Sequence, residues 1–128
     1  MVSTYIEQPH DWLWKSERDL NGAKAMLEKT YYDLSVYHSQ QSVEKGLKGY
    51  LCYKGHPLLK THDLGVLVKV CISYDIDFNN IELECLNVDQ LDVKFRYPAA
   101  LLEPPEVATL EAIENAETVL GFVKSKII

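Results

Sequence analysis

Four polar side chains recur along one face of a predicted helix, at spacings that bring them into a single row. They are His38, Gln41, Lys45 and Lys48, which follow one another at intervals of three, four and three residues. Residues three and four apart are neighbours on the surface of an α-helix. The two ammonium groups supply positive charge, and the imidazole and amide groups supply hydrogen bonds that can be oriented toward a phosphate. The row therefore predicts a nucleotide- or polynucleotide-phosphate site.

The same row has a second interpretation, as a solvent-exposed helix face that binds nothing. In this interpretation Glu44 and Lys48 form an ordinary ion pair between side chains four residues apart. Periodicity alone favours this second interpretation over the phosphate site.

Two other faces of this helix indicate how it packs. Its apolar side chains fall on one face, which we expect to lie in the core: Val36, Val43, Leu47 and Leu51. Small residues recur on another face at spacings of four, three, four and three: Ser35, Ser39, Ser42, Gly46 and Gly49. Because a glycine inside a helix costs about 1 kcal/mol relative to alanine, we expect a packing reason for them. A second helix should approach this face closely, either inside the bundle or across a dimer.

The elements that position these side chains are all predicted to be helices, since the apolar residues recur with a helical period throughout. Five helices are predicted. The first runs from about Pro9 to Lys29, and the second is capped by Asp33 or Ser35 and ends near Lys54. A short third helix is capped by Thr61, the fourth spans about Ile81 to Phe95, and the fifth opens at Glu103–Glu106 and runs to about Lys126. The segment from Tyr74 to Asn80 is predicted to be a loop. The predicted fold class is all-α, an up-and-down bundle of four long helices plus one short helix, in a single domain over residues 1–128.

Three short segments together resemble the HEPN domain family, named for higher eukaryote and prokaryote nucleotide-binding proteins. They are the run YHSQQSVEKGLK from Tyr37 to Lys48, Thr61-His62-Asp63-Leu64, and Arg96-Tyr97-Pro98. Their order and spacing agree with the family over about Asp11 to Lys126. The resemblance implies an all-helical bundle that forms a homodimer. It also adds Arg96 and Tyr97 to the candidate nucleotide-binding residues, with the Tyr97 ring as a surface on which a base can stack.

The resemblance implies one of two activities. Many members of the family are metal-independent ribonucleases, often toxins, in which an arginine is followed four to six residues later by a histidine. Others are small proteins encoded beside a minimal nucleotidyltransferase and thought to bind nucleotides or that partner. No histidine follows Arg96, and none occurs anywhere after His62. The proton-transfer group of a ribonuclease is therefore missing, unless the fold or a dimer mate brings His38 or His62 near Arg96.

Composition restricts the remaining possibilities. The chain has 128 residues and a formal charge of −6, which argues against binding nucleic acid through a broadly basic surface. Three cysteines without a CxxC pair are typical of a reducing cytosol. No two histidines lie four residues apart, so we expect no metal and no cofactor. We also expect no signal peptide, no membrane span and a cytoplasmic location.

These observations lead to one expected function and two alternatives. The expected function is a HEPN-like nucleotide-binding or interaction module, the partner of a minimal nucleotidyltransferase in a toxin–antitoxin-like pair. Its nucleotide or RNA ligand would be bound by six residues: His38, Gln41, Lys45, Lys48, Arg96 and Tyr97. The first alternative is a metal-independent ribonuclease toxin centred on Arg96. The second is a non-catalytic protein-interaction module whose ancestral site has decayed.

Overall fold

The computed structural model describes residues 6–98 and 102–128, and within them it confirms the predicted all-α fold. Its helices are α1 (Pro9–Glu28), α2 (Tyr32–Tyr53), the short α3 (Leu64–Tyr74), α4 (Glu82–Arg96) and α5 (Glu106–Lys126). A 3-10 helix, Ile76–Ile81, leads into α4. It occupies most of the segment that was predicted to be a loop, because the Asp75 carboxylate accepts a hydrogen bond from the Asp77 N–H at 2.9 Å and starts the turn.

Helix α2 lies at the centre of the bundle and packs against all four of the other α-helices. Its predicted apolar face is buried, and Leu47 is completely inaccessible to solvent. The ring of Tyr50 packs against Phe78 of the 3-10 helix, with 4.4 Å between the ring centroids. Each fully buried side chain of this size contributes about 1.5–3 kcal/mol. The polar residues of α2 are therefore held on a helix that the core fixes in place.

The small residues of α2 pack against α1 of the same chain, as one of the two predicted arrangements requires. The Ser16 hydroxyl donates to the backbone carbonyl of Ser42 at 2.6 Å. The hydroxyl of Ser35 donates to the carbonyl of Ala23 at 2.7 Å. A side chain at Gly49 would have its Cβ only 3.0 Å from the Cβ of Trp12. Small side chains thus allow the two helices to approach closely enough for a serine hydroxyl of one to donate to a backbone carbonyl of the other.

Two predicted helix caps are wrong. Helix α2 begins at Tyr32, before both Asp33 and Ser35, and it has no side-chain cap. The cap of α3 is Asp63, whose carboxylate accepts a hydrogen bond from the backbone N–H of Val66 at 3.2 Å. The predicted cap, Thr61, instead accepts a hydrogen bond from the backbone N–H of Asp63 at 3.1 Å. An aspartate directly before the helix satisfies a free N–H and also interacts favourably with the helix dipole.

The last turn of α5 is attached to the 3-10 helix by ion pairs. The ammonium of Lys126 lies 2.9 Å from the Asp75 carboxylate and 2.8 Å from that of Asp77. These contacts raise the pKa of Lys126 to about 12 and lower the pKa of Asp75.

Among the described residues, no helix is both long enough and apolar enough to cross a membrane.

Candidate functional site

Two residues of the predicted row, His38 and Lys45, face α1 and share one carboxylate there. The Lys45 ammonium donates to Asp19 Oδ2 at 2.5 Å, and Nδ1 of His38 lies 3.1 Å from Asp19 Oδ1. Asp19 is largely buried between the two helices. The positive charge of Lys45 is therefore compensated within the chain.

The other two residues of the row, Gln41 and Lys48, contact Glu44. The ammonium of Lys48 lies 3.0 Å from the Glu44 carboxylate, and the two side chains are only 8% and 5% exposed. The amide of Gln41 donates to Gln40 Oε1 at 2.8 Å, and more weakly to Glu44 at 3.5 Å. The predicted ion pair between Glu44 and Lys48 is confirmed. The prediction of a solvent-exposed face is wrong for Glu44 and Lys48, because both side chains are buried.

Arg96 and Tyr97 lie at the end of α4, away from the lysines of the row. The guanidinium of Arg96 donates a hydrogen bond to Asp92, whose side chain is 3% exposed. It also lies over the ring of Tyr37, 5.5 Å from the centroid. Tyr97 follows the helix and is 64% exposed. Burial raises the pKa of the Asp92 carboxyl in spite of its ion pair with Arg96.

A surface pocket of about 320 Å³ includes both Arg96 and Tyr97. Asp33 and Glu103 also line it. The pocket therefore combines one cation and an aromatic ring with two acidic side chains, a mixture better suited to a polar partner surface than to a free polyanion.

Sequence reasoning missed His62 as a partner of Glu44. Nδ1 of His62 lies 2.9 Å from Glu44 Oε1. The side-chain amide of Gln40 donates to the backbone carbonyl of His62 at 3.0 Å. Asp89, on α4, is a further carboxyl group of this region. Burial raises its pKa, and the negative charge of Asp63 raises it further. The sequence places His62 eighteen residues after Glu44, so helical spacing offers no signal for this contact.

Polar residues of α2, of the segment before α3 and of α4 form two bonded groups, one around Glu44 and one formed by Asp92 and Arg96, which we together call the α2–α4 polar cluster. Its members are Gln40, Gln41, Glu44, Lys48, His62, Asp89, Asp92 and Arg96. The six predicted site residues are thus divided into three groups. His38 and Lys45 belong to the α1–α2 boundary, Gln41 and Lys48 to the cluster, and Arg96 and Tyr97 to its outer end.

Metal-dependent catalysis and catalysis by a cysteine nucleophile have little support in the part of the chain that the structure describes. No three His, Cys, Asp or Glu side chains are grouped there as ligands of a metal ion. Burial raises the pKa of Cys71 to about 12 and also raises the pKa of Cys85. Because the thiolate is the nucleophilic form, neither buried thiol is suited to covalent catalysis at neutral pH.

The fold and the arrangement of these segments agree with a known family. The HEPN domain model matches residues 9–126, and the chain therefore belongs to the HEPN family. A relative from Methanocaldococcus jannaschii, named "Putative toxin MJ1304", is 32% identical over 124 residues, which covers 86% of this chain and 82% of the relative.

Two solved structures are similar over nearly the whole chain. ST0689, described as an archaeal HEPN homologue, has a TM-score of 0.75 and 27% identity, and the match covers 96% of this chain and 100% of that one. TT1696 from Thermus thermophilus has a TM-score of 0.81 over 94% of this chain and 99% of its own. At 24% identity, TT1696 is evidence for the fold alone.

Proposed function

We propose that this chain is the HEPN member of a cytoplasmic toxin–antitoxin-like pair, in which a homodimer binds a minimal nucleotidyltransferase. Membership of the HEPN family and the toxin name of the relative from Methanocaldococcus jannaschii support this proposal. In this proposal, contact with nucleotide or RNA phosphate is made through Arg96 rather than through the whole predicted row.

The observation that carries the proposal is the pairing of the three predicted cations. Lys45, Lys48 and Arg96 each contact a carboxylate of the same chain. A phosphate at Lys48 would have to compete with a buried ion pair, and separating such a pair costs about 3–5 kcal/mol. The row is thus poorly prepared to capture a free nucleotide, which favours a protein-interaction role.

The surface around Arg96 has the composition of a binding surface. Tyr37 contacts the guanidinium, and Tyr37, Val93 and Tyr97 are all exposed large side chains. Tyrosine and arginine are enriched at the centres of protein interfaces, because they combine apolar contact with hydrogen bonds. A guanidinium has five N–H donors, so a bond to Asp92 leaves donors for an acceptor on a partner or a phosphate.

Partner binding is tested by coexpressing the chain with the minimal nucleotidyltransferase and measuring the mass of the purified complex by light scattering. We expect a complex that the double variant Tyr37→Ala/Tyr97→Ala weakens at least tenfold. Lys24→Ala is the control, because Lys24 forms a half-exposed ion pair with Glu117 at another surface. A complex that is unaffected by the double variant would contradict this surface, and the absence of any complex would contradict the partnership.

Phosphate binding is tested by thermal-shift titration with ATP and with short RNA. A ligand at 100 times its dissociation constant stabilises the folded state by about 2.7 kcal/mol, which for a domain of this size raises Tm by several degrees. We expect Arg96→Gln, which keeps a donor for Asp92 but removes the charge, to abolish the shift. If neither ligand shifts Tm, the phosphate contact is refuted, while the mass measurement still decides the partnership.

A further inference from the structure

Another surface pocket, of about 270 Å³, lies between the start of α1, the end of α2 and the segment that follows α2. Lys48 lines it, and we call it the Lys48 pocket. Its apolar walls include Trp12, Leu51 and Leu59. Leu51 is 3% exposed, and Leu59 packs against the core. Because cavities for drug-sized ligands measure about 300–1,000 Å³, the Lys48 pocket is suited to a smaller molecule, with a body of about one ring.

The Lys48 ammonium has hydrogen-bonding capacity that the protein does not use. Its side chain is 8% exposed. Within residues 6–98 and 102–128, the ammonium donates one hydrogen bond, to Glu44 Oε2 at 3.0 Å. An ammonium carries three N–H donors, and a buried donor without an acceptor costs free energy. An acceptor on a molecule in the pocket would therefore be stabilising.

The charges around the Lys48 pocket favour an uncharged molecule over an anion. The carboxylate of Glu44 already compensates the charge of Lys48, and its other oxygen contacts His62 at 2.9 Å. Glu7 also lines the pocket. Burial raises the pKa of the Cys52 thiol, and the negative charge of Glu7 raises it further, so this charge acts at the pocket wall. A carboxylate or phosphate would add a negative charge without a counter-charge, which is costly away from water.

The walls of the pocket are held by contacts within the chain. A Cβ at Gly49 would lie 3.0 Å from the Cβ of Trp12, so α1 lies tightly against α2 here. The backbone N–H of His56 donates to the carbonyl of Leu51 at 2.9 Å. Nδ1 of His56 also lies 2.7 Å from the hydroxyl of Tyr74 on α3. A site that is formed before its ligand arrives loses less free energy to ordering when the ligand binds.

We propose that the Lys48 pocket binds a small uncharged molecule, with an apolar or aromatic body and a carbonyl oxygen that accepts a hydrogen bond from Lys48. The body packs against Trp12 and Leu51, while Glu44 keeps its own bond to Lys48. Among the described residues, this pocket shares no wall with the one that includes Arg96. The inference is therefore independent of the partnership proposed above.

The test titrates the ¹⁵N-labelled full chain with three probes that share one aromatic ring, and follows binding by NMR. Benzamide carries an uncharged carbonyl, benzoate carries a negative charge, and toluene has no acceptor. We expect saturable shifts with benzamide at the backbone amides of Leu51, Cys52 and Leu59, which line the pocket. Benzoate should bind at least about tenfold more weakly than benzamide, because its charge is not compensated there.

Two variants test the role of the ammonium. Glu44→Gln/Lys48→Met removes both charges at similar volume. It should weaken benzamide binding about tenfold, the lower range for loss of a hydrogen bond to a charged group, and leave toluene binding unchanged. Glu44→Gln alone leaves the charge of Lys48 uncompensated, so benzoate should then bind more tightly than benzamide. Lys24→Met is the control, because Lys24 is 48% exposed and pairs with Glu117 at another surface.

Several results would overturn the inference. They are the absence of saturable shifts with benzamide, shifts that map to another surface, and equal wild-type affinities for benzamide and benzoate. Wild-type affinity for benzamide in the double variant, or an unchanged preference in Glu44→Gln, also overturns it. If Glu44→Gln does not fold, the double variant still decides, because it leaves no buried charge unpaired.

Discussion

Replacement of Lys48 by methionine should destabilise the protein by about 3 kcal/mol, because it leaves a buried carboxylate without its ammonium partner. Lys48 and Glu44 are 8% and 5% exposed, and their charged atoms are 3.0 Å apart. Removing one member of a buried pair costs about 3–5 kcal/mol. We expect the lower end of this range, since His62 and Gln41 still contact the carboxylate.

The double variant Glu44→Gln/Lys48→Met provides the critical comparison. It removes both charges and preserves the approximate volume, so its stability should lie within about 1 kcal/mol of the wild type. Lys24→Met is the control for loss of an exposed lysine. Lys24 and Glu117 are both 48% exposed, and pairs of this kind contribute about 1 kcal/mol or less.

Urea denaturation followed by far-ultraviolet circular dichroism measures these free energies of unfolding. A loss of about 3 kcal/mol in a domain of this length lowers Tm by roughly 10 °C. If Lys48→Met and Lys24→Met are equally stable, the pair does not behave as a buried one and the reasoning is refuted. If the double variant is as unstable as Lys48→Met, the loss comes from packing of the lysine side chain and not from the unpaired charge.

Three further predictions concern stability. Gly49→Ala should lower Tm, because the added Cβ would lie 3.0 Å from the Cβ of Trp12. Gly121→Ala is the comparison, because its Cβ would meet nothing within 4 Å and the change should gain up to about 1 kcal/mol from helix propensity. Shifts of the same sign in the two variants would contradict the close packing at Gly49. Asp63→Ala should cost about 1 kcal/mol in urea denaturation through loss of the α3 cap, and Asp63→Asn should keep most of it. Burial raises the pKa of Asp92 above its ordinary value of 3.8, so the folded protein holds this proton more tightly than the unfolded chain does. The free energy of unfolding therefore falls as pH rises from 3.8 through the raised pKa. Asp92→Asn should therefore gain stability relative to the wild type as pH rises from 3.8 through the raised pKa, and a difference that does not change with pH would refute this.

Most of the fold could be predicted because each helix carries its own apolar period and its own stop signals. The small-residue face of α2 even predicted a close neighbour, and Gly49 shows why alanine would be too large there. The choice between a neighbour in the bundle and one in a dimer could not be made, since periodicity on one helix does not identify the helix that faces it. The capping error has a similar origin, because Thr61 and Asp63 are both good caps by residue type.

The candidate site was less predictable, because its charges are determined by residues that are distant in sequence. The spacing of four between Glu44 and Lys48 indicated their ion pair, but not that the pair is buried. Asp19 lies on a different helix from Lys45, and their contact depends on how α1 crosses α2. Likewise, His62 reaches Glu44 only because the segment before α3 turns back over α2. A row of lysines in a sequence therefore predicts a free anion site only when the facing helix is known to lack carboxylates.

The central position of α2 also has a consequence for how the protein loses its structure. Since α2 packs against α1, α3, α4 and α5, none of these helices can detach without exposing part of the same buried surface, including Leu47. Partial opening is then nearly as unfavourable as complete opening, and the population of half-folded chains should be very small. We therefore expect the amide hydrogens of α2 to exchange with solvent only through all-or-none transitions, at a rate that reports the global equilibrium between folded and unfolded chains.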